Sequence, residues 1–352
     1  MALYTGDCKM NYLVGVCGHF AHHIQMFDGL TVKTKMLFEY LNNEYPNSVK
    51  CLDTHNVKNH LLLFIRRIID LIVNCRNIII LPAENGLQVI APLVVLLNVI
   101  FKRNLHYVVI GGWLPVFLKQ KRWLIKVLKK IDYIYVETIG MKELLQTIGL
   151  TNVFVLPNFK ELTIVNSDDL YKNSTVPLPV CTFSRVMREK GIEDAVNAIV
   201  NINTNKNSVI YTLDIYGNID ELQAEWFELL KSKFPSYINY KGVVPSNEST
   251  SILKNYYALL FPTFYEGEGF AGTLIDAMAS GLPVIASDWK YNSEIISNNF
   301  TGLLIDRQHN LEDRLIWAYQ NPNEWNKMRV NCLNIAKNYL PENALNVLVD
   351  RL

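Results

Sequence analysis

Short runs of apolar, often β-branched residues alternate with longer segments of helical periodicity along almost the whole chain. Strands and helices in this alternation are typical of parallel sheets covered by helices. In the first half, the runs predict strands over residues 12–16, 49–52, 78–81, 107–110, 134–137 and 153–156. The pattern therefore predicts one doubly wound α/β domain over residues 1–165.

A polar stretch containing prolines and charges, residues 166–179, interrupts the alternation and predicts a linker. The alternation then restarts, with predicted strands over residues 180–183, 210–216, 238–240, 258–261, 284–286 and 302–305. We therefore predict a second doubly wound domain over residues 175–338. Residues 339–352 carry apolar side chains near helical spacing, which predicts a helix that returns to the first domain.

Composition limits the classes of partner and compartment. A chain of 352 residues exceeds the usual size of one hydrophobic core, in agreement with two domains. Its net charge of +1 gives no reason to expect a nucleic acid partner. Six cysteines without paired spacing predict reduced thiols, and the N-terminus lacks a signal-like pattern, so we expect a cytoplasmic protein. The most apolar stretch, residues 87–101, is too short for a typical membrane span and predicts a buried helix.

Candidate chemistry is densest in residues 261–288, FPTFYEGEGFAGTLIDAMASGLPVIASD, which predict a strand, a glycine-rich loop, a helix and the next strand. Ligands bind at the carboxyl ends of such strands. A helix that begins near Thr273 would offer free amides and the positive end of its dipole to an anion. Glu268 and Asp276 can both accept hydrogen bonds from sugar hydroxyls. Their spacing alone fits a structural role equally well, in which Glu268 caps the loop and Asp276 stabilises the start of the helix by its charge.

Two further loops carry candidate binding groups. The segment FSRVMREKG, residues 183–191, places Arg185 and Lys190 after the first strand of the second domain, where cations could hold a diphosphate. A basic loop by itself is more often a solvated surface. In the first domain, Gly29 precedes a predicted helix, and Thr31 could cap that helix or supply a hydroxyl.

The histidines and one tryptophan invite other readings. His19, His22 and His23 follow the first predicted strand, but no acidic or cysteine partner stands at metal-ligand spacing, so we expect no metal site. For each of these histidines and for His106, we expect ordinary hydrogen bonding rather than contact with a sugar or an acceptor. Trp113 could equally stack on a sugar or pack internally.

The segment 261–288 and the loop 183–191 resemble the signature of family-4 retaining glycosyltransferases, which belong to glycosyl transferases group 1 of the GT-B superfamily. The family pattern is a glutamate, then phenylalanine and glycine nearby, then a second glutamate. Here Glu268 matches the first acid and Asp276 replaces the second. In the first domain, Leu30 replaces one of two adjacent glycines that are common in the family.

The resemblance implies an α/β GT-B fold of two facing Rossmann-like domains that bind a nucleotide sugar, a UDP-sugar by family frequency, without a metal ion. It implies catalytic roles for Arg185 and Lys190, which stabilise the leaving diphosphate, and for Glu268, which binds the transferred sugar. Asp276 would bind the ribose. The residues implied in donor binding are Gly29, Thr31, Arg185, Lys190, Gly269, Phe270, Ala271, Gly272, Thr273 and Asp276.

The implied reaction transfers a sugar, with retention, to a glycan or lipid-linked saccharide in surface polysaccharide or glycoconjugate biosynthesis. Two alternatives stay open: an inactive GT-B subunit that binds a glycan or a partner, and a sugar-nucleotide epimerase. Residues 117–130 combine basic and apolar side chains at helical spacing. This pattern slightly favours peripheral contact with an anionic membrane, at the inner face of the cell membrane, over packing on the protein's own sheet.

Overall fold

The computed structural model describes residues 11–21, 29–55, 61–170, 175–245, 247–306, 308 and 310–352. The chain divides into two compact units, Met1–Phe159 with Ala344–Leu352, and Lys160–Asn343. Each unit contains a six-stranded sheet whose neighbouring strands all run parallel. The predicted fold class, two doubly wound parallel sheets, is confirmed.

The first unit alternates strands and helices throughout its described residues. In chain order its elements are β1 (Tyr12–Gly18), α1 (Gly29–Glu44), β2 (Val49–Asp53), α2 (Leu61–Asn74), β3 (Cys75–Ile80), α3 (Glu84–Phe101), β4 (Asn104–Val108), α4 (Leu114–Gln120), α5 (Trp123–Leu128), β5 (Tyr133–Val136), α6 (Ile139–Thr147) and β6 (Val153–Val155). The strand order is β2-β1-β3-β4-β5-β6. The direction of winding therefore reverses between β1 and β3.

Helix α1 shows how the periodicity of the sequence becomes packing. Leu37 and Leu41 are four residues apart, lie on one helix face and are fully buried. They share a core cluster with Val14 and Val16, whose side chains leave β1 on the same side of the sheet. Because both elements present apolar side chains to one cluster, the helix covers this face of the sheet.

Residues 344–352 at the C-terminus belong to the first unit, whereas residues 339–343 belong to the second. The single helix predicted over residues 339–352 is instead two short helices, α14 (Pro341–Ala344) and α15 (Asn346–Val349). Leu345 and Leu348 lie in the core cluster of the first unit. The Asn77 side chain donates a hydrogen bond of 3.2 Å to the backbone carbonyl of Leu352, and the Arg351 guanidinium lies 4.3 Å from the centre of the Phe154 ring.

Helices α3, α4 and α5 differ from two predictions, a buried helix over residues 87–101 and a single helix over residues 117–130. The stretch 87–101 lies in α3, and only one face of this helix is buried. Leu96, Val99 and Ile100 on the other side are 69%, 67% and 74% exposed. By length and composition alone, α3 is also apolar enough to cross a membrane. Residues 117–130 form no single helix, because the chain turns between the end of α4 and the start of α5.

The second unit has the same alternation. Its elements are β7 (Leu178–Phe183), α7 (Ile192–Asn205), β8 (Tyr211–Tyr216), α8 (Ala224–Lys231), β9 (Ile238–Gly242), α9 (Ser249–Leu253), β10 (Ala258–Phe261), α10 (Gly272–Ala279), β11 (Val284–Ser287), α11 (Asn292–Ile295), β12 (Gly302–Ile305), α12 (Leu311–Gln320) and α13 (Pro322–Ala336). The strand order is β12-β11-β10-β7-β8-β9. Winding therefore reverses between β7 and β10, which is where doubly wound sheets open a crevice for ligands.

The division between the units falls at Phe159 and Lys160, ahead of the predicted linker 166–179. Backbone hydrogen bonds explain this position. The amide of Lys160 donates to the carbonyl of Tyr339 at 3.0 Å, and the amide of Val165 donates to the carbonyl of Ala279 at 2.9 Å. Residues 160–165 are therefore fixed to the second unit.

A buried aromatic pair anchors α13 to the sheet of the second unit. Trp325 is fully buried, and its ring stacks on Tyr257 with 5.5 Å between ring centres. Its indole nitrogen donates a hydrogen bond of 3.0 Å to the backbone carbonyl of Tyr257. Arg329, also buried, donates to the same carbonyl at 2.8 Å. One helix thus supplies both apolar contact and hydrogen bonds to the chain just before β10.

Replacing Trp325 should destabilise the second unit. We expect Trp325→Ala to lower its free energy of unfolding by about 3–5 kcal/mol, because a large buried side chain is removed and a cavity is left. Trp123→Ala is the matched control, since Trp123 is 47% exposed. Hydrogen exchange of the β10 amides measures the change in this unit separately. Equal protection in the two variants would contradict the assignment of Trp325 to the core.

Candidate functional site

A pocket of about 260 Å³ lies at the winding reversal of the second sheet. The loop after β7, the end of β10 and the start of α10 all contribute to it. Its lining residues are Phe183, Ser184, Arg185, Met187, Lys190, Phe261, Tyr265, Ala271, Gly272 and Thr273. The structure therefore brings the basic loop 183–191 and the glycine-rich loop of the sequence analysis into one pocket.

The backbone of the basic loop is fixed by a glycine. Residues Arg188–Lys190 form a short 3-10 helix, and Gly191 follows with φ of 70° before α7 begins. A Cβ atom at Gly191 would lie 2.2 Å from the carbonyl oxygen of Pro262. Only glycine allows both the left-handed backbone and this close approach, which places the loop after β7 directly against the residues that follow β10.

An ion pair joins the two loops. The Lys190 ammonium lies 2.6 Å from Glu268 Oε2, and the exposed fractions of these side chains are only 12% and 6%. The Thr263 hydroxyl donates to the same carboxylate oxygen at 2.8 Å. The ammonium also lies 4.9 Å from the centre of the Tyr265 ring. Glu268 thus holds the Lys190 cation at the wall of the pocket.

The first turn of α10 supplies neutral hydrogen-bond donors. Ala271 precedes the helix in extended conformation and provides no side-chain cap. Gly272 and Thr273 line the pocket, and the amides of a first helical turn have no partner within the helix. The Thr273 hydroxyl is buried and makes no hydrogen bond with any residue that the structure describes. Amides, hydroxyl and helix dipole together favour an anion here.

The two arginines of the basic loop have different surroundings. Arg185 lines the pocket, is 60% exposed and lies 3.8 Å from Asp220. Arg188 is 58% exposed but is not among the lining residues, and its guanidinium lies 5.0 Å from the centre of the Trp226 ring. Two cations, Arg185 and Lys190, therefore face the pocket from the described part of this loop.

Three predicted donor-binding residues of the second unit lie outside the pocket lining. Gly269 is buried, and the ring of Phe270 packs edge-on against Tyr339 with 5.2 Å between ring centres. Both carboxylate oxygens of Asp276 lie 2.7 Å from the Lys160 ammonium, and Ser249 donates a further bond of 2.9 Å. The ribose contact of Asp276 stays a prediction, as does the sugar contact of Glu268.

In the first unit, the predicted donor loop is described in part. Helix α1 begins at Gly29, where a Cβ atom would meet nothing within 4 Å, so packing does not demand glycine. Thr31 is buried, and its hydroxyl lies 2.8 Å from His19 Nδ1. His19 Nε2 in turn lies 3.2 Å from His55 Nδ1. His22 and His23 fall outside the described residues, and donor contact by Gly29 or Thr31 stays a prediction.

Two other candidate residues, His106 and Trp113, make contacts inside the first unit. His106 is fully buried, with Nδ1 3.1 Å from the Tyr135 hydroxyl, and burial lowers its pKa to about 4. It is a neutral core histidine. Trp113 donates its indole hydrogen to the carbonyl of Ile110 at 2.8 Å and meets Phe117 edge-on, so internal contacts hold its ring.

Sequence reasoning missed two ion pairs and one bridging hydroxyl. Lys33 and Glu137 form a pair of 2.7 Å that is almost completely buried in the first unit. Lys160 pairs with Asp276, and Thr263 bridges to Glu268. Thr263 follows the carboxyl end of β10, and this position in the sequence could have identified it as a candidate. The ion pairs join residues more than a hundred positions apart and leave no local signal.

Among the described residues, no group of three or more histidine, cysteine, aspartate or glutamate side chains is placed to hold a metal ion. The five described cysteines, Cys17, Cys51, Cys75, Cys181 and Cys332, are free thiols. Four of them are buried. Burial raises the pKa of Cys17 and Cys332 to about 12, so both stay protonated at neutral pH.

Curated relatives match part of the chain. A protein of Streptococcus agalactiae named "UDP-N-acetylglucosamine--peptide N-acetylglucosaminyltransferase GtfA subunit" is 38% identical over 128 residues, which are 36% of this chain and 24% of that protein. The subunit of the same name from Streptococcus pneumoniae serotype 4 is 29% identical over 227 residues, 61% of this chain and 44% of that protein. The aligned region thus spans less than half the length of these relatives.

A solved structure extends the likeness to almost the whole chain. The Anabaena protein Alr3699/HepE, crystallised with UDP and glucose, superposes with a TM-score of 0.68 at 11% identity, over 97% of this chain and 99% of that one. At this identity the likeness concerns the fold. Residues 173–338 match the family model described as Glycosyl transferases group 1. The family match thus covers most of the second unit, and the two doubly wound sheets of the chain have the fold of GT-B structures.

Proposed function

We propose that this chain is a glycosyltransferase that uses a UDP-sugar, and that the pocket after β7 and β10 binds the donor diphosphate. The observation that carries the proposal is the convergence of Arg185, Lys190 and the first turn of α10 on one pocket. Two cations and a helix N-terminus form a site for a doubly charged anion. The family match of residues 173–338 supports sugar transfer as the reaction.

The names of the streptococcal relatives support a finer proposal. Both are named for transfer of N-acetylglucosamine from UDP-N-acetylglucosamine to peptide. We propose UDP-N-acetylglucosamine as the donor, with a polypeptide or a glycan as the acceptor. The pocket chemistry fits the diphosphate and does not by itself select the base or the sugar.

Charge in the pocket accounts for how the bond to the leaving group would break. As the sugar–phosphate bond lengthens, negative charge accumulates on the diphosphate. Fixed cations and amides stabilise that charge more than they stabilise the ground state, which lowers the barrier. In this mechanism Lys190 and Arg185 act on the leaving group. Glu268 keeps the Lys190 ammonium in position through their contact of 2.6 Å.

Replacing Arg185 tests this mechanism kinetically. The fold should persist, because the Arg185 side chain is 60% exposed. We expect Arg185→Ala to lower kcat by about a hundredfold, the usual loss when one donor to a developing anion is removed. Arg188→Ala is the matched control, since Arg188 comes from the same loop, is 58% exposed and lies outside the lining. Steady-state rates of UDP release with acceptor measure both. Equal losses would contradict the assignment.

We also propose that transfer retains the anomeric configuration, as in family-4 enzymes, and requires no metal ion. With protein cations on the diphosphate, the acceptor hydroxyl can pass its proton to the departing phosphate oxygen on the same face. We expect NMR of the first product to show an α-linkage from an α-linked donor, and turnover to persist in EDTA. A β-linked product would exclude retention, and loss of turnover restored by Mg²⁺ would exclude metal independence.

A membrane contact is proposed for the outer face of the first unit, in the cytoplasm at the inner face of the cell membrane. Val89, Leu96, Val99 and Ile100 form an exposed apolar stripe on α3, which packs against α5. Exposed basic residues of the segment 117–130 lie on α4 and α5 or just beyond them, namely Lys119, Arg122, Lys126, Lys129 and Lys130. Apolar insertion flanked by cations is the pattern of peripheral binding to anionic lipid.

Vesicle flotation tests this contact. We expect binding to vesicles that contain phosphatidylglycerol, weaker binding at high salt, and loss of binding in the double variant Leu96→Glu and Ile100→Glu, because buried charge opposes insertion. Leu222→Glu is the matched control, since Leu222 is 96% exposed in the second unit. Equal flotation of all three proteins, or none with the unmodified chain, would contradict the proposal.

A further inference from the structure

A second, larger depression lies on the same edge of the second sheet, at the carboxyl ends of β10, β11 and β12. Its volume is about 670 Å³, within the range of small-molecule sites. We call it the acidic groove and define it by Thr263, Phe264, Ser287, Asp288, Trp289 and Asp306. It lies beside the winding reversal between β7 and β10, on the sheet edge where loops follow the strands and carry binding residues.

The acidic groove is separated from the donor pocket by the loop that follows β10. Thr263 lines the groove, and its hydroxyl donates to Glu268, the partner of Lys190. The Trp289 indole nitrogen donates a bond of 2.8 Å to the carbonyl of Tyr265, whose side chain lines the donor pocket. One loop therefore forms a wall of each site, and ligands in the two sites would lie side by side.

The groups in the acidic groove differ from those in the donor pocket. Phe264 is 46% exposed and, with the partly buried Trp289, offers aromatic surface. Asp288 makes no ion pair with any other residue that the structure describes, whereas Asp306 pairs with Arg314 at 3.0 Å. Lys290 is paired with Glu266, and its ammonium lies 5.4 Å from the centre of the Trp289 ring, so Phe264 offers the more open aromatic surface. The described lining thus combines aromatic rings with carboxylate and hydroxyl oxygens, and it includes no unpaired cation.

These groups match one chemical class of ligand. A pyranose ring has an apolar C–H face that packs on aromatic rings, and its hydroxyls donate hydrogen bonds to carboxylates. A phosphate or another anion would be repelled by Asp288. We propose that the acidic groove binds an uncharged saccharide, as a site separate from the donor pocket. The proposal does not depend on sugar transfer, so it can fail or hold independently of the proposed function.

Saturation-transfer difference NMR tests binding with defined probes. The uncharged probes are N,N′-diacetylchitobiose and maltose, and glucose 6-phosphate is the anionic comparator. We expect at least one uncharged probe to bind, and Phe264→Ala and Asp288→Asn each to weaken it by about tenfold. Both changes are at exposed side chains, so the fold should persist. UDP affinity, measured by calorimetry, should stay within about twofold of the unmodified chain, a small change on this scale.

Phe300→Ala is the matched control, since Phe300 is also 46% exposed but precedes β12, at the opposite end of the strand. It should leave saccharide binding unchanged. The proposal is overturned if neither uncharged probe binds, if glucose 6-phosphate binds more tightly, or if Phe264→Ala and Phe300→Ala behave alike. A parallel loss of UDP affinity in the groove variants would also overturn it, because the groove would then belong to the donor site.

Discussion

The ion pair between Lys190 and Glu268 is the interaction on which the site depends. It joins the loops that follow β7 and β10, the two strands at which the second sheet reverses its winding. Because both side chains are largely buried, removing either would leave an uncompensated charge, at a cost of about 3–5 kcal/mol. The pair therefore fixes the loops, and it also presents a cation to the pocket.

The residues after β10 divide one sheet edge into two chemical environments. On one side lie Arg185, Lys190 and the start of α10, which favour an anion; on the other lie Asp288, Phe264 and Trp289, which favour an uncharged ring. The close approach at Gly191 and the bridging hydroxyl of Thr263 keep the wall between them in place. The residues after β10 are shared by both environments, whereas the loop after β7 contributes to one and the ends of β11 and β12 contribute to the other.

The sequence predicted the architecture well because hydrophobic periodicity is local. Each of the twelve predicted strands overlaps a strand of the structure, and the basic and glycine-rich loops meet as the topology requires. Long-range pairing could not be predicted. Nothing near Asp276 indicates that Lys160 would engage both its oxygens, and nothing near residues 87–101 indicates that one face of α3 would stay exposed. Such features depend on which elements happen to pack together in three dimensions.

We propose that fixed charges in the second unit bind a nucleotide through its diphosphate. Isothermal titration of the unmodified chain with UDP and with uridine tests it most directly, since the two ligands differ only in the diphosphate. We expect UDP to bind at least about a hundredfold more tightly than uridine, a difference of about 2.7 kcal/mol, and added salt to reduce this difference. Equal affinities for the two ligands, or no binding of UDP, would contradict it.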